Sequence, residues 1–447
     1  MSQSNAAALI ERDLDHLIHP LYNRNQHSGG KVWVEGEGIH LIDADGNRYY
    51  DGLSGLWCNT AGFGRQELID ACSSQMQTMA YASGYSGSSN PAAIELAEKL
   101  SAITYPGINK FFFTSGGGEA SDSNFKMARY YWKKMGKPNK YKVISRQWGY
   151  HGVTLAAMSA TGIAPYWPAF EPRVPGFLHI PSPYPYRYQA PEGMSQGIEA
   201  ANELEKAILA EGADNVAMFI AEPVQGAGGV IPPQDDYFPR IREICDQYDV
   251  LLVADEVITG FGRTGKMFGL EHWNVEPDMM QFAKAITSGY FPLGGIGIND
   301  KIADVLDKAD DLWMHAYTYS AHPVGCAVGC AMIDLVIKDD FPGQAAVKGK
   351  RMLDDLTRKL AHHPHVGDVR GLGMMCAIEM VKDKDTKEEF AASEKIGPQV
   401  LAEATKRGLF SRVRNDVYTL APPIVSTEAQ IDEMVEILAD SVKTVLG

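Results

Sequence analysis

Three places in this 447-residue chain combine residue types that could do chemistry, and each follows a short apolar run. In KFFFTSGGGEASDSNFKMARYYW the run leads into Gly116, Gly117 and Gly118. A helical pattern follows, with Phe125, Ala128, Trp132 and Met135 on one face. Successive glycines let backbone N–H groups close on an anion, and the start of a helix adds positive potential. The alternative is a plain strand-to-helix turn. In VLLVADEVITGFGRTG, Asp255 ends an almost wholly apolar stretch. A buried carboxylate is costly without a positive partner. A protonated heterocyclic nitrogen would serve, as would backbone N–H groups or an arginine. In MMQFAKAITSGYFPLGG, Lys284 follows another apolar run. Desolvation there would lower its basicity and make its amine nucleophilic; a surface lysine just past a strand is the simpler alternative.

Stepwise alternation along the chain predicts the scaffold that must hold these groups. Short apolar runs at 110–114, 141–145, 216–221, 250–255 and 279–284 alternate with helical periodicity, as in Phe238, Ile241, Cys245 and Tyr248. This is the pattern of a mostly parallel sheet covered on both sides, an α/β fold. Such sheets bind ligands at the carboxyl ends of their strands. The three stretches would then meet as a phosphate cradle, an acid for a ring nitrogen and an amine for an aldehyde, the set that pyridoxal 5'-phosphate (PLP) requires.

Either side of this region the pattern changes. VWVEGEGIHLIDADGNRYYDG alternates apolar and polar residues around hairpin signals. The C-terminal stretch carries long helical patterns and ends in a helix that Thr427 and Gln430 would cap as a box. The expected division is a large cofactor-binding domain at 63–324 and a smaller α+β domain at 325–447. Segment 1–62 would join the smaller domain.

A formal charge of −15 argues against a basic nucleic-acid footprint. Six scattered cysteines form no CxxC pair, so neither a zinc site nor a disulfide framework is expected, and reduced thiols fit a cytoplasmic enzyme. The polar N-terminus does not read as a signal peptide, and no run approaches the roughly 18 apolar residues of a membrane helix.

With these residues in place, LLVADEVITGFGRTGKMFG and the lysine 29 residues after Asp255 resemble the signature of class III PLP-dependent aminotransferases. GLWCNTAGFG, SGGGEASD, YHG, AEPVQGAGGVIPP, YTYSAHPVGCAVG and VRGLGM match the family in order and span nearly the whole chain. The resemblance implies the aspartate-aminotransferase type of fold and a homodimer, or a tetramer, with shared sites. It implies that Lys284 condenses with the cofactor aldehyde and shuttles the substrate proton. Asp255 would hold the ring nitrogen protonated, Val257 and Tyr150 would flank the ring, and Gly117 and Gly118 would bind the phosphate. Glu222 would position substrate or Tyr150, and Thr318 would reach the phosphate of the neighbouring subunit. The family usually reads Ser-Gly-Ser where this chain has Gly116-Gly117-Gly118, so two hydroxyls are missing and cofactor retention is expected to be modest.

Within the family, Trp57 in GLWCN and Arg412 in LFSRVRNDVYTLAPP resemble the ω-amino acid and amine:pyruvate branch. Trp57 would line the substrate pocket, unless it is an ordinary core residue. Arg412 would grip a carboxylate through paired hydrogen bonds and swing away for an apolar amine. Arg414, two residues on, would share its face on a strand and competes for that role. Tyr85 and Leu21 are further pocket candidates. His151 and His322 are read as structural. Other class III activities stay open: 4-aminobutyrate, ornithine or diaminopelargonate transamination, an aminomutase, or a silent PLP-binding protein.

Overall fold

The computed structural model describes residues 4–21, 23–27 and 30–447. Near the N-terminus, β1 (Trp33–Glu37), β2 (His40–Asp43) and β3 (Arg48–Asp51) form an antiparallel meander. Seven strands follow: β4 (Ile108–Thr114), β5 (Lys142–Arg146), β6 (Phe177–Ile180), β7 (Val216–Ala221), β8 (Leu251–Asp255), β9 (Met279–Phe282) and β10 (Gly294–Asn299). They make one sheet in the order β4-β10-β9-β8-β7-β5-β6. The inner pairings from β6 to β9 are parallel, and β10 runs antiparallel to both its neighbours.

Burial on both faces explains the continuous apolar runs. Every residue of β7, β8 and β9 is buried. Leu252 and Ala254 belong to one apolar cluster, whereas Leu251 and Val253 belong to another. The second cluster includes Phe125, Ala128 and Trp132 of the helix Gly117–Lys134. Met135 departs from the expected face: the helix ends at Lys134, and Met135 is 49% exposed. The strand expected at 279–284 also ends early, at Phe282, so Lys284 opens a separate 3-10 turn, Lys284–Thr287.

After the helix Pro323–Lys338 come β11 (Val366–Gly371), β12 (Cys376–Met380), β13 (Leu409–Phe410), β14 (Arg412–Arg414) and β15 (Val417–Leu420). A four-stranded sheet has the order β11-β12-β15-β14. β13 pairs in parallel with β3, which draws the N-terminal meander onto the C-terminal part of the chain. Thr427 and Gln430 cap the last helix reciprocally, as a box. Buried Arg263 ties distant segments together by donating to the carbonyls of Met374 and Pro422 and to the Ser54 hydroxyl.

Candidate active site

A cavity of about 350 Å³ lies where β4, β8 and β9 end. Gly116, Gly117, Gly118, Tyr150, Glu222, Asp255, Val257 and Lys284 all line it. Three segments far apart in sequence are therefore brought to one place, as parallel-sheet topology requires.

The glycine side of the cavity is the N-terminus of the helix Gly117–Lys134. Gly116 precedes it in extended backbone and offers no side-chain cap, so the first-turn N–H groups are left for another acceptor. Two positions bear on the choice of glycine. A Cβ on Gly117 would sit 3.3 Å from both methyl groups of Val257. Gly152 has φ +124°, and a Cβ there would come within 2.8 Å of the Gly118 Cα. The turn after Tyr150 is thus pressed against the cradle.

Asp255 and its surroundings form the opposite pole. One carboxylate oxygen is 2.7 Å from His151 Nδ1 and the other accepts the Val257 N–H at 3.2 Å. His151 is itself pinned, its N–H donating to Thr161 Oγ1 and its carbonyl accepting from Ser121 Oγ. Ser121 and Asn124 both engage Gln281, which also lines the cavity. The other imidazole nitrogen, Nε2, is buried without a partner among the described residues. His151 therefore does more than fill space, because it aims the Asp255 carboxylate. Gln281 was not anticipated; its signal was a lone polar residue inside an apolar strand.

Glu222 is fully occupied by backbone. One oxygen accepts the Tyr150 N–H at 2.9 Å and the other accepts the Gly226 N–H at 2.9 Å. Burial pushes its carboxyl upward. The same cause raises the Tyr150 phenol and lowers the Lys284 amine. Lys284 adopts φ +52°, a left-handed conformation that costs a lysine on the order of 1 kcal/mol or more and persists only where the surroundings impose it. The turn after Lys284 is held by Ser288, whose hydroxyl accepts the Ala61 N–H.

The candidate substrate residues lie apart from these. Arg412 is half-buried on β14 and does not line the cavity, yet its charge acts on both Lys284 and Tyr150. Arg414 instead stacks over the Trp148 ring, 4.3 Å from its centroid. Trp57 is 2% exposed within the main core cluster, at φ +64°. Tyr85 and Leu21 are 59% and 69% exposed, and Thr318 is also exposed, its carbonyl accepting from the Tyr81 hydroxyl. None of these four lines the cavity of the single chain. His322 follows in the same segment, packed against Phe291.

The residues fit PLP on structural grounds. Uncapped helix N–H groups behind a glycine that cannot be enlarged freely suit a phosphate. A buried, oriented carboxylate suits a ring nitrogen that must stay protonated, and a buried amine without a carboxylate hydrogen bond suits an aldehyde. Among the described residues no cluster of metal-ligating side chains occurs.

Residues 21–442 match the family model for class-III aminotransferases. A putrescine–pyruvate aminotransferase of Pseudomonas aeruginosa is 39% identical over 94% of this chain and 92% of its own length. A diaminobutyrate–2-oxoglutarate transaminase of Halomonas elongata is also 39% identical, over 96% of this chain and 94% of its own. Among solved structures, an (S)-enantioselective ω-transaminase from Thermomicrobium roseum superposes with a TM-score of 0.96 at 44% identity, covering 99% of both chains. An ω-transaminase from Pseudomonas jessenii in complex with PMP gives 0.93 at 37%, covering 98% of this chain and 99% of its own. The cavity, its glycine cradle and its buried lysine thus belong to a chain that is a member of the class III aminotransferases, enzymes that depend on pyridoxal 5'-phosphate.

Proposed function

We propose that this enzyme moves an amino group from a primary amine or ω-amino acid to a keto acid, with pyruvate as the acceptor, by alternating half-reactions. The observation that carries this reading is Arg412, a half-buried cation on the edge strand β14 that does not line the cavity. An arginine so placed can meet an acid's carboxylate and stay clear of an apolar amine. The names of the Pseudomonas aeruginosa relative and the Thermomicrobium roseum structure support the same donor and acceptor classes.

When bound, PLP supplies an aldehyde for the amine and a ring that takes up the electron pair released at the substrate Cα. Lys284, made less basic by burial, would condense with that aldehyde and move the proton at the substrate Cα. Asp255, aimed by His151 and the Val257 N–H, keeps the proton on the ring nitrogen. Tyr150 and Val257 would flank the ring, Glu222 accepts the Tyr150 backbone N–H and so fixes that residue, and Gly117 and Gly118 would donate to the phosphate.

The enzyme works as a homodimer in which Thr318 reaches the phosphate of the neighbouring subunit, while Trp57, Tyr85 and Leu21 contribute to the assembled substrate pocket. Exposed Leu21, Tyr81, Tyr85, Leu312, Met314 and Tyr319 support this reading, since large apolar side chains in water mark covered surfaces. The β3–β13 pairing supports the division of the chain at 63 and 325. Six free cysteines support a cytoplasmic home, and no helix of the described residues is long and apolar enough to cross a membrane.

A donor panel with pyruvate and with 2-oxoglutarate tests the proposal. Turnover of 1-phenylethylamine or putrescine that requires pyruvate is expected. Turnover without any keto acid would make the enzyme a mutase. Strict use of 2-oxoglutarate would place it in another branch.

A further inference from the structure

A second cavity, of about 300 Å³, is bounded by Trp148, Tyr184, Arg187, Glu379 and Arg414 and shares no lining residue with the first. Its charges are unevenly paired. Glu379 is buried and already neutralised: one oxygen meets Arg187 at 2.7 Å, and the other meets Arg370 at 2.8 Å and accepts the Tyr184 hydroxyl. Arg370 is further held by Asp368 at 2.9 Å and by the carbonyls of Gly229 and Val230. Asp416 accepts the Gly397 N–H, and the largely exposed Glu389 lies 3.6 Å from Arg187.

Arg414 is left over. Among the described residues its side chain has no hydrogen bond and no ion pair, and its Nε is fully buried without a partner. Its guanidinium carbon lies over the Trp148 ring, 4.3 Å from the centroid. Burial pushes it below the usual range, against the opposing pull of Tyr184 and Glu379. A guanidinium in a cavity, with its hydrogen-bond donors unused, is matched in shape and charge by a carboxylate.

We propose that this cavity is a second anion site, which takes a small carboxylate on the free donors of Arg414. It is separate from the substrate site. Arg412 and Arg414 are two residues apart on β14, but Arg414 lines the second cavity over the Trp148 ring whereas Arg412 lines neither cavity. The inference does not depend on which amine or keto acid the enzyme prefers.

Trp148 serves as the reporter. The holoenzyme is titrated with malonate, which carries no keto group to react, and tryptophan fluorescence is followed. A saturable change is expected that is absent from Trp148→Phe, weakened about tenfold or more in Arg414→Gln, and unaltered in Arg412→Ala. No Trp148-dependent change overturns the proposal. So does a response that survives in Arg414→Gln and disappears in Arg412→Ala, which would put the anion beside Lys284. A response to inorganic phosphate but not to malonate overturns the ligand class. Crystals of the wild-type holoenzyme grown in malonate answer without any variant: a carboxylate on Arg414 supports the site, and malonate found only beside Lys284 refutes it.

Discussion

His151 Nδ1 lies 2.7 Å from Asp255 Oδ2, with both side chains buried, so an imidazole orients the acid that faces the cofactor cavity. Asp255→Asn should keep the fold and bind PLP, because the amide fills the same space. It cannot hold a ring proton electrostatically, and half-reactions should slow on the order of 100-fold or more. His151→Ala should slow them less, through loss of a buried hydrogen bond worth about 1–3 kcal/mol. Stopped-flow half-reactions on both variants check the order. Equal losses would mean that His151 does more than orient.

Lys284→Ala should bind PLP without condensing with it, and turnover should fall by orders of magnitude, because nucleophile and proton carrier disappear together. The lowered basicity of Lys284 adds a pH test. Below 10.5, the ordinary lysine value, and above its folded value, this amine is neutral only in the folded chain. Condensation of apoenzyme with PLP, followed by absorbance, should therefore reach half its limiting rate below pH 10.5. A half-point at the ordinary lysine value would contradict the burial argument.

The glycine cradle predicts an asymmetric response to serine. A Cβ at Gly118 meets only Thr154, at an ordinary 3.7 Å, whereas one at Gly117 crowds Val257 at 3.3 Å. Gly118→Ser should be accepted and should slow pyridoxamine-phosphate loss, since a hydrogen bond to a charged group contributes about 1.5–3 kcal/mol. Gly117→Ser should weaken cofactor binding. Dissociation measured by dialysis of all three forms decides it.

Arg412→Ala should impair the half-reaction with pyruvate or alanine far more than that with 1-phenylethylamine, by about 2–5 kcal/mol if the ion pair is well desolvated. Arg414→Ala should leave that ratio unchanged, because Arg414 stacks on Trp148. A selective loss in the Arg414 variant would exchange the two assignments.

Asp51 offers a stability test away from the chemistry. It accepts the N–H groups of Gly55 and Leu53 at the turn before Trp57, and burial still pushes its carboxyl up to about 6, from 3.8. Between those values the folded chain holds a proton that the unfolded chain releases. This contribution is complete below the unfolded value and is lost as pH rises through about 6. Relative to Asp51→Asn, the wild type should gain roughly 1–1.5 kcal/mol between pH 7 and pH 5, read from urea midpoints.

Much of this architecture is legible in residue order. Lys284, Asp255 and the glycine run are legible because each ends an apolar stretch, and a parallel sheet brings such ends together. β6 and β10 are not: FLHI lacks an alternating pattern, and GGIGIN has too few side chains to show a period. Trp57 is legible as important but not as core or pocket, because an indole suits both and its burial depends on a left-handed backbone. The separation of Arg412 from Arg414 is equally invisible, since strand alternation puts both on one face. What divides them is Trp148, which offers a ring to one of them only.

The glycines of β10 also bear on how the enzyme is assembled. Gly294 pairs with Thr114 so closely that a Cβ would meet the Gly116 backbone at 2.8 Å, and the same strand pairs with β9, which leads into Lys284. β9 and β10 are near neighbours in the chain and can form as a hairpin, whereas β4 must close a long loop to join them. The turn that carries Lys284 thus rests on a local pairing, whereas its approach to the glycine run depends on a long-range one.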